Sequence, residues 1–243
     1  MNKKESDNNL NPKKDEQSEE ILKSKNSKSQ NNQVTIAVVL MILVFLIMAI
    51  VPFVKSNYVV KFEYADLEFE KIKTENIVTY KTILPAVDSE GRLFGVEWIF
   101  RNDPRELDDI IIEIPNKTIT FQKDKTTYLS LEKDAPACED NILSVFTLLN
   151  FLDDFGGLDI QGAVSDKDYA NETNHPYITC ENSPRNTVIL LKSGNQNLLN
   201  KTSENCYELQ YKDCDINRVT EKFIYTILER YMKIFKYGPE SLV

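Results

Sequence analysis

The chain has 243 residues, 29 Lys and Arg against 38 Asp and Glu, and a formal net charge of −9, with 42% apolar and 10% aromatic residues. This is ordinary globular composition and excludes extensive disorder outside a tail. The first 33 residues carry 7 Lys and 6 acids, leaving 22 basic and 32 acidic residues beyond them; such an acidic body disfavours binding to nucleic acid or to an anionic membrane surface through bulk charge.

Residues 1–33 are rich in Lys, Asn, Ser, Asp and Glu, with Leu10, Ile21 and Leu22 as the only large apolar side chains after Met1. A segment of this kind buries too little surface to offset the entropy of ordering, so a disordered cytoplasmic tail is expected, with a docking segment for a cytoplasmic partner as the rival reading. Val34 to Val54 then reads V-T-I-A-V-V-L-M-I-L-V-F-L-I-M-A-I-V-P-F-V, without a charge. As an α-helix it would be about 31 Å long, the hydrocarbon thickness of a bilayer. The sequence predicts a single transmembrane helix. A cleaved signal peptide has a shorter apolar region ending in small residues, whereas this run follows a long polar tail and ends V-P-F-V-K.

Lys23, Lys25 and Lys28 lie close before the run, and Lys55 and Lys61 close after it. That excess places the N-terminus inside the cell and the C-terminal domain outside. All four cysteines lie beyond the run, as do three Asn-x-Ser/Thr acceptor sequences at Asn116, Asn171 and Asn200. Both features suit an extracytoplasmic body.

The expected body is α+β, one compact unit with a β-rich lobe over 55–125 and an α/β lobe over 126–243. Val59 to Tyr64, Ile77 to Leu84 and Phe94 to Phe100 alternate apolar and polar residues with period two, the mark of half-buried strands. Turns are expected at Ala65-Asp66, from Pro85 to Arg92, and at Asn102-Asp103-Pro104. The meander is antiparallel, extended by short strands near Ile110–Ile114 and Lys117–Gln122.

In the second lobe Thr126–Lys133 is strand-like. A helix then follows, N-capped by Asp134, with Pro136 in its first turn and Gly156-Gly157 as its stop. Ile142, Val145, Phe146, Leu149 and Leu152 line one face, but Leu143, Leu148, Phe151 and Phe155 are apolar as well. A helix apolar on several sides is buried on several sides, here between the sheet and the first lobe or in a subunit contact. Strands are expected at Leu158–Val164, Tyr177–Cys180, Thr187–Lys192 and Cys206–Tyr211, with a polar loop before His175 and another around Asn200. This order implies a mixed sheet with a crossover. The last helix, Asp215 to about Lys236, puts Ile216, Val219, Phe223, Ile227, Tyr231 and Ile234 on one stripe that covers a sheet.

Cys138, Cys180, Cys206 and Cys214 permit three pairings. Cys138 opens a helix and Cys180 closes a strand, ends that meet on one side of an α/β layer, so Cys138 with Cys180 is expected. The remaining pair, Cys206 with Cys214, requires a bend, because a straight strand from Cys206 to Tyr211 carries the thiols beyond the roughly 7 Å Cα limit.

No catalytic, metal or cofactor set is assigned. There is no C-x-x-C, and His175 is the single histidine. Ser130-x-x-Lys133 matches S-x-x-K in letters but falls in a strand, where Lys cannot reach back to Ser. Asp103, Glu106, Asp108 and Asp109 around Arg105, and Asp153 with Asp154, read as turn caps and solvated faces. No P-loop, G-x-G-x-x-G or nucleophile elbow is present.

Four stretches, R-N-D-P-R-E-L (Arg101–Leu107), C-E-D-N (Cys138–Asn141), I-T-C-E-N (Ile178–Asn182) and C-Y-E-L-Q-Y-K-D-C (Cys206–Cys214), stand behind one N-terminal apolar helix. The set resembles uncharacterised archaeal single-pass membrane proteins. The resemblance implies an anchored, cysteine-bearing outer domain and carries no activity with it. The functional expectation is a non-catalytic envelope or cell-surface protein whose body meets another envelope protein or a second copy. The alternative is an anchored hydrolase, which requires a deep pocket holding at least two acids with raised pKa.

Overall fold

A computed structural model describes residues 35–48, 60–88, 90–122 and 124–238. By contacts the chain divides into two units, Met1–Tyr58 and Val59–Val243. In the first, residues 35–48 are helical with exposed side chains. That helix is about 21 Å long, short of a bilayer crossing by itself. Among the described residues no helix is long and apolar enough to cross a membrane; Val34 and residues 49–54 of the expected span, and the expected tail, lie outside them.

The second unit is α+β, with a four-stranded antiparallel sheet and a six-stranded mixed sheet. The first sheet is a meander of β1 (Val60–Tyr64), β2 (Leu67–Thr74), β3 (Ile77–Val87) and β4 (Leu93–Phe100). Ala65 and Asp66 both take positive φ, 51° and 61°, in the two-residue turn that joins β1 to β2. The turn expected from Pro85 to Arg92 is tighter than that, because β3 runs on through Pro85, which pairs with Gly95. Asp88 closes the turn, its Oδ1 accepting the N–H groups of Glu90 and Arg92 at 2.9 and 2.8 Å.

The second sheet has the order β5-β9-β10-β8-β6-β7. β6 (Thr127–Leu131), β7 (Ile160–Val164), β8 (Thr187–Ser193) and β10 (Cys206–Tyr211) are mutually parallel where they pair, and β5 (Ile111–Glu113) and β9 (Leu198–Ser203) run the other way. Four sequence expectations are corrected here. The Ile110–Ile114 strand leaves the meander and pairs with β9 as β5. Lys117–Gln122 forms no strand and follows a single 3-10 turn at Pro115–Lys117. The polar loop around Asn200 is β9, which begins with the buried pair Leu198 and Leu199. Tyr177–Cys180 makes only one bridge, Val164 to Tyr177.

Three helices complete the unit: α1 (Asn141–Asn150), α2 (Lys167–Thr173) and α3 (Ile216–Tyr237). α1 starts later than expected, since Pro136 and the bridged Cys138 hold 134–140 in turns. It continues through one π turn, Phe151–Phe155, and stops at Gly156-Gly157, with Gly157 at φ 61°. α2 lies in the loop expected before His175; Asp166 caps it by accepting the Tyr169 N–H at 2.7 Å.

α3 is the centre of the fold. Phe223 meets Tyr207 of β10 with ring centroids 5.8 Å apart, while Tyr225 meets Phe100 of β4 at 4.5 Å and Phe69 of β2 at 6.0 Å. Two residues apart on a helix means nearly opposite faces, so the helix is sandwiched between the sheets and does not merely cover one. Residues of both sheets and of α1 and α3 accordingly belong to one core.

The disulfides are Cys138–Cys214 and Cys180–Cys206, with Cα separations of 5.6 and 5.5 Å. The expected pairing, Cys138 with Cys180 and Cys206 with Cys214, is therefore replaced. β10 pairs with β8 without a break from Cys206 to Tyr211, so Cys206 and Cys214 stand at opposite ends of it, as the strand-length objection requires. Cys138, which follows β6, joins Cys214 beyond the C-terminal ends of the parallel strands. Cys180 lies on the return path to the start of β8 and joins Cys206 at their N-terminal ends.

Candidate functional site

A polar cleft of about 380 Å³ opens where the β2–β3 turn, the end of β4 and the start of α1 meet the N-terminus of α3. Each wall has a local cause. Asn76, Ile77 and Val78 arrive at the hairpin turn that begins β3, and Ile77 is exposed. Arg101 and Asn102 follow Phe100, whose buried ring pins the end of β4. Asp140 precedes α1, and the Cys138–Cys214 bridge ties that segment to the start of α3. Asp215, Asn217 and Arg218 belong to the first turn of α3 or to its approach.

Behind the cleft lies Glu221, 1% exposed. Its carboxyl accepts the backbone N–H groups of Arg101 and Asn102 at 2.7 and 2.9 Å, and the Asn102 side-chain amide at 2.8 Å. Burial raises its pKa to about 7; the three hydrogen bonds and the nearby Arg101 charge pull the other way without cancelling that effect. Asn102 Nδ2 also donates to Asn217 Oδ1 at 3.2 Å, so one amide links the end of β4 to two successive turns of α3.

Arg218 is fully engaged, donating to Asp109 at 2.7 Å, to the Glu106 carbonyl at 3.1 Å and to Asp215 at 3.3 Å. Arg101 differs: among the described residues its guanidinium has only a long ion pair, 3.6 Å to Asp140. Asp215 does not cap α3, because its carboxylate accepts from Asn197 at 2.6 Å and from Arg218. The first turn of α3 therefore has no side-chain cap.

The acidic cluster around Arg105 is structural. Asp103, 3% exposed, takes the Arg105 guanidinium at 2.9 and 2.6 Å. Burial pushes its pKa up, but the Arg105 side chain and N–H outweigh that and hold it below the usual carboxylate range. The same Arg105 lies 3.6 Å over the Phe62 ring. Asp108 and Asp109 reach Lys222 and Arg218 on α3. Asp153 and Asp154 sit exposed on the π turn. Among the described residues the buried acids are thus Asp103 and Glu221, and their pKa values move in opposite directions. No group of three or more His, Cys, Asp or Glu among the described residues is placed to hold a metal ion.

The other sequence candidates fall apart in space. Ser130 is buried in β6 and donates to the Ile178 carbonyl at 2.6 Å, while Lys133 lies over the Tyr169 ring. His175 is exposed after α2. Asn116 is exposed on its 3-10 turn and Asn171 is exposed on α2, but Asn200 is half-buried within β9, between β5 and β10. Asn102, Asn217 and Glu221 were missed: on a helical wheel Asn217 and Glu221 read as the solvated face of α3. The signal available was the four-residue spacing that stacks them on one side.

A second feature lies next to the cleft. Along α1, beginning two residues after Asp140, Ile142, Leu143 and Phe146 are 75%, 41% and 58% exposed, while Ser144 and Leu148 are buried. The side of α1 expected to be covered is open.

Comparison with known proteins finds no matching family model, no curated relative and no similar solved structure.

Proposed function

We propose that the chain is a single-pass membrane-anchored binding module of the cell envelope, its N-terminal tail cytoplasmic and its folded body outside. The observation that carries this reading is the open apolar row Ile142, Leu143 and Phe146 on α1. A row of large apolar side chains standing exposed along one helix is what a protein interface leaves open when its partner is absent. The two disulfides support an oxidising compartment. The uncharged run 34–54, with its Lys excess before it, supports the anchor and its orientation. The partner is an envelope protein or a second copy of the chain.

The test is a photo-crosslinking residue at position 146, expressed in native membranes. An adduct with a distinct protein or with a second copy, lost on Ile142→Ser, is the expected result. Labelling confined to lipid and water would remove the reading. Protease added to intact cells should degrade residues 59–243 and spare the first 33; the reverse pattern would overturn the orientation.

A further inference from the structure

We propose that β4 is the interface of a homodimer, pairing antiparallel with β4 of a second copy around a two-fold axis that passes through Val96. β4 ends the order β1-β2-β3-β4, and among the described residues no strand lies on its outer side. An eight-residue edge is a template for another strand unless something blunts it. L-F-G-V-E-W-I-F has no Lys and no Pro, and its register with β3 runs unbroken from Leu93 to Phe100, so no bulge turns the edge away. Its one charge, Glu97, is held by Lys81 of the same chain at 2.6 Å.

The β3–β4 turn sets the phase of the ladder. The Asp88 N–H donates to the Arg92 carbonyl at 3.0 Å and the Gly91 N–H to the Asp88 carbonyl at 3.0 Å, with Gly91 at φ 78°. Asp88 and Arg92 are thus a hydrogen-bonded pair, and the register carries that bonded phase to Phe94, Val96, Trp98 and Phe100. Leu93, Gly95, Glu97 and Ile99 consequently turn their N–H and C=O groups to the open side.

The order of the side chains selects a second copy as the occupant. An axis through Val96, perpendicular to the sheet, sets Leu93 against Ile99, Phe94 against Trp98, and Gly95 against Glu97. Every apolar side chain then meets an apolar one, the edge-facing residues bond in pairs, and each Glu97 lies across from a residue without a side chain. Moving the axis to Glu97 sets two carboxylates face to face, which is unfavourable. Leu93, Phe94 and Ile99 are 69%, 49% and 51% exposed, so the pairing covers surface that a single chain leaves open. The dimer uses a different element from the α1 row and stands whatever that row meets.

The test is Val96→Cys in the full-length chain, oxidised mildly in native membranes. On the axis, at a non-hydrogen-bonded position, the two Cα atoms come within about 4.5 Å, inside the range of a disulfide; the native cysteines are all bridged already. A covalent dimer is expected, with at least about tenfold less from Glu97→Cys, whose copies stand beyond the roughly 7 Å Cα limit. Ile99→Lys, which sets a charge opposite Leu93, should cut the Val96→Cys dimer roughly tenfold without lowering the melting temperature. A photo-crosslinking residue at the exposed position 93 should join the peptide that carries Ile99 of a second copy, a reading that does not depend on an added thiol. Ile142→Ser should leave both crosslinks intact, so a failure here and a failure of the α1 reading are told apart. No dimer at either position, an adduct with a different protein, an equal yield from Glu97→Cys, or a yield indifferent to Ile99→Lys each overturns the proposal.

Discussion

The Glu221 carboxyl accepts the Arg101 backbone N–H at 2.7 Å, across 120 residues of sequence and from inside the protein core. This bond fastens the last residues of the four-stranded sheet to the helix that also carries the six-stranded sheet.

Its protonation gives the first prediction. Glu221 has a folded pKa raised from 4.5 to about 7. A raised acid binds its proton more tightly in the folded state, so its contribution to stability is fully present below the unfolded value and declines as pH rises toward 7. The span corresponds to about 3 kcal/mol as an order of magnitude. Chemical denaturation of the parent should show stability falling between about pH 4.5 and 7. In Glu221→Gln that slope should be absent, with lower stability at pH 5 because an amide N–H2 faces donors. A slope unchanged by the substitution would refute the assignment.

Asp103 acts with the opposite sign. Its folded pKa lies below its ordinary 3.8, so its contribution is present above that value and lost as pH falls through the folded one. Asp103→Ala should cost about 1–2 kcal/mol at pH 7, through the unsupported 3-10 turn and the released Arg105. The loss should shrink in acid unfolding measured at pH 2–3.

Non-reduced peptide mapping should recover Cys138 joined to Cys214 and Cys180 joined to Cys206. The loops they close span 76 and 26 residues. Replacing either pair with Ala should lower stability by about 3–5 kcal/mol on the chain-entropy view, the longer loop losing more. Recovery of a Cys138–Cys180 peptide would contradict the strand order.

If the acceptor sequences are used, glycans belong at Asn116 and Asn171, which are exposed. Asn200→Gln should leave the glycoprotein mass unchanged, because Asn200 is half-buried in a strand paired on both sides. A mass loss at Asn200 would mean that β9 is modified before the sheet closes.

Periodicity made the meander and α3 legible, since period two and the six-residue apolar stripe are local properties of the chain. It could not place Ile111–Glu113, whose three residues read the same in either sheet. Nor could it show that Asn217, Glu221 and Tyr225 face inward. Polar residues on a helix read as solvated until a second layer arrives to cover them, and here that layer is the sheet of Phe69 and Phe100. The same blindness worked in reverse on α1, where Ile142 and Phe146 announce burial and the fold leaves them open.

By itself the sequence determined an acidic α+β body with four cysteines behind an uncharged apolar run, because composition and short-range periodicity depend only on neighbours along the chain. The tertiary structure alone decided which cysteines meet, which strand joins which sheet, and that an amide and two charges converge beside the start of α3. Those are distances between residues far apart in sequence, set by how two sheets close on one helix.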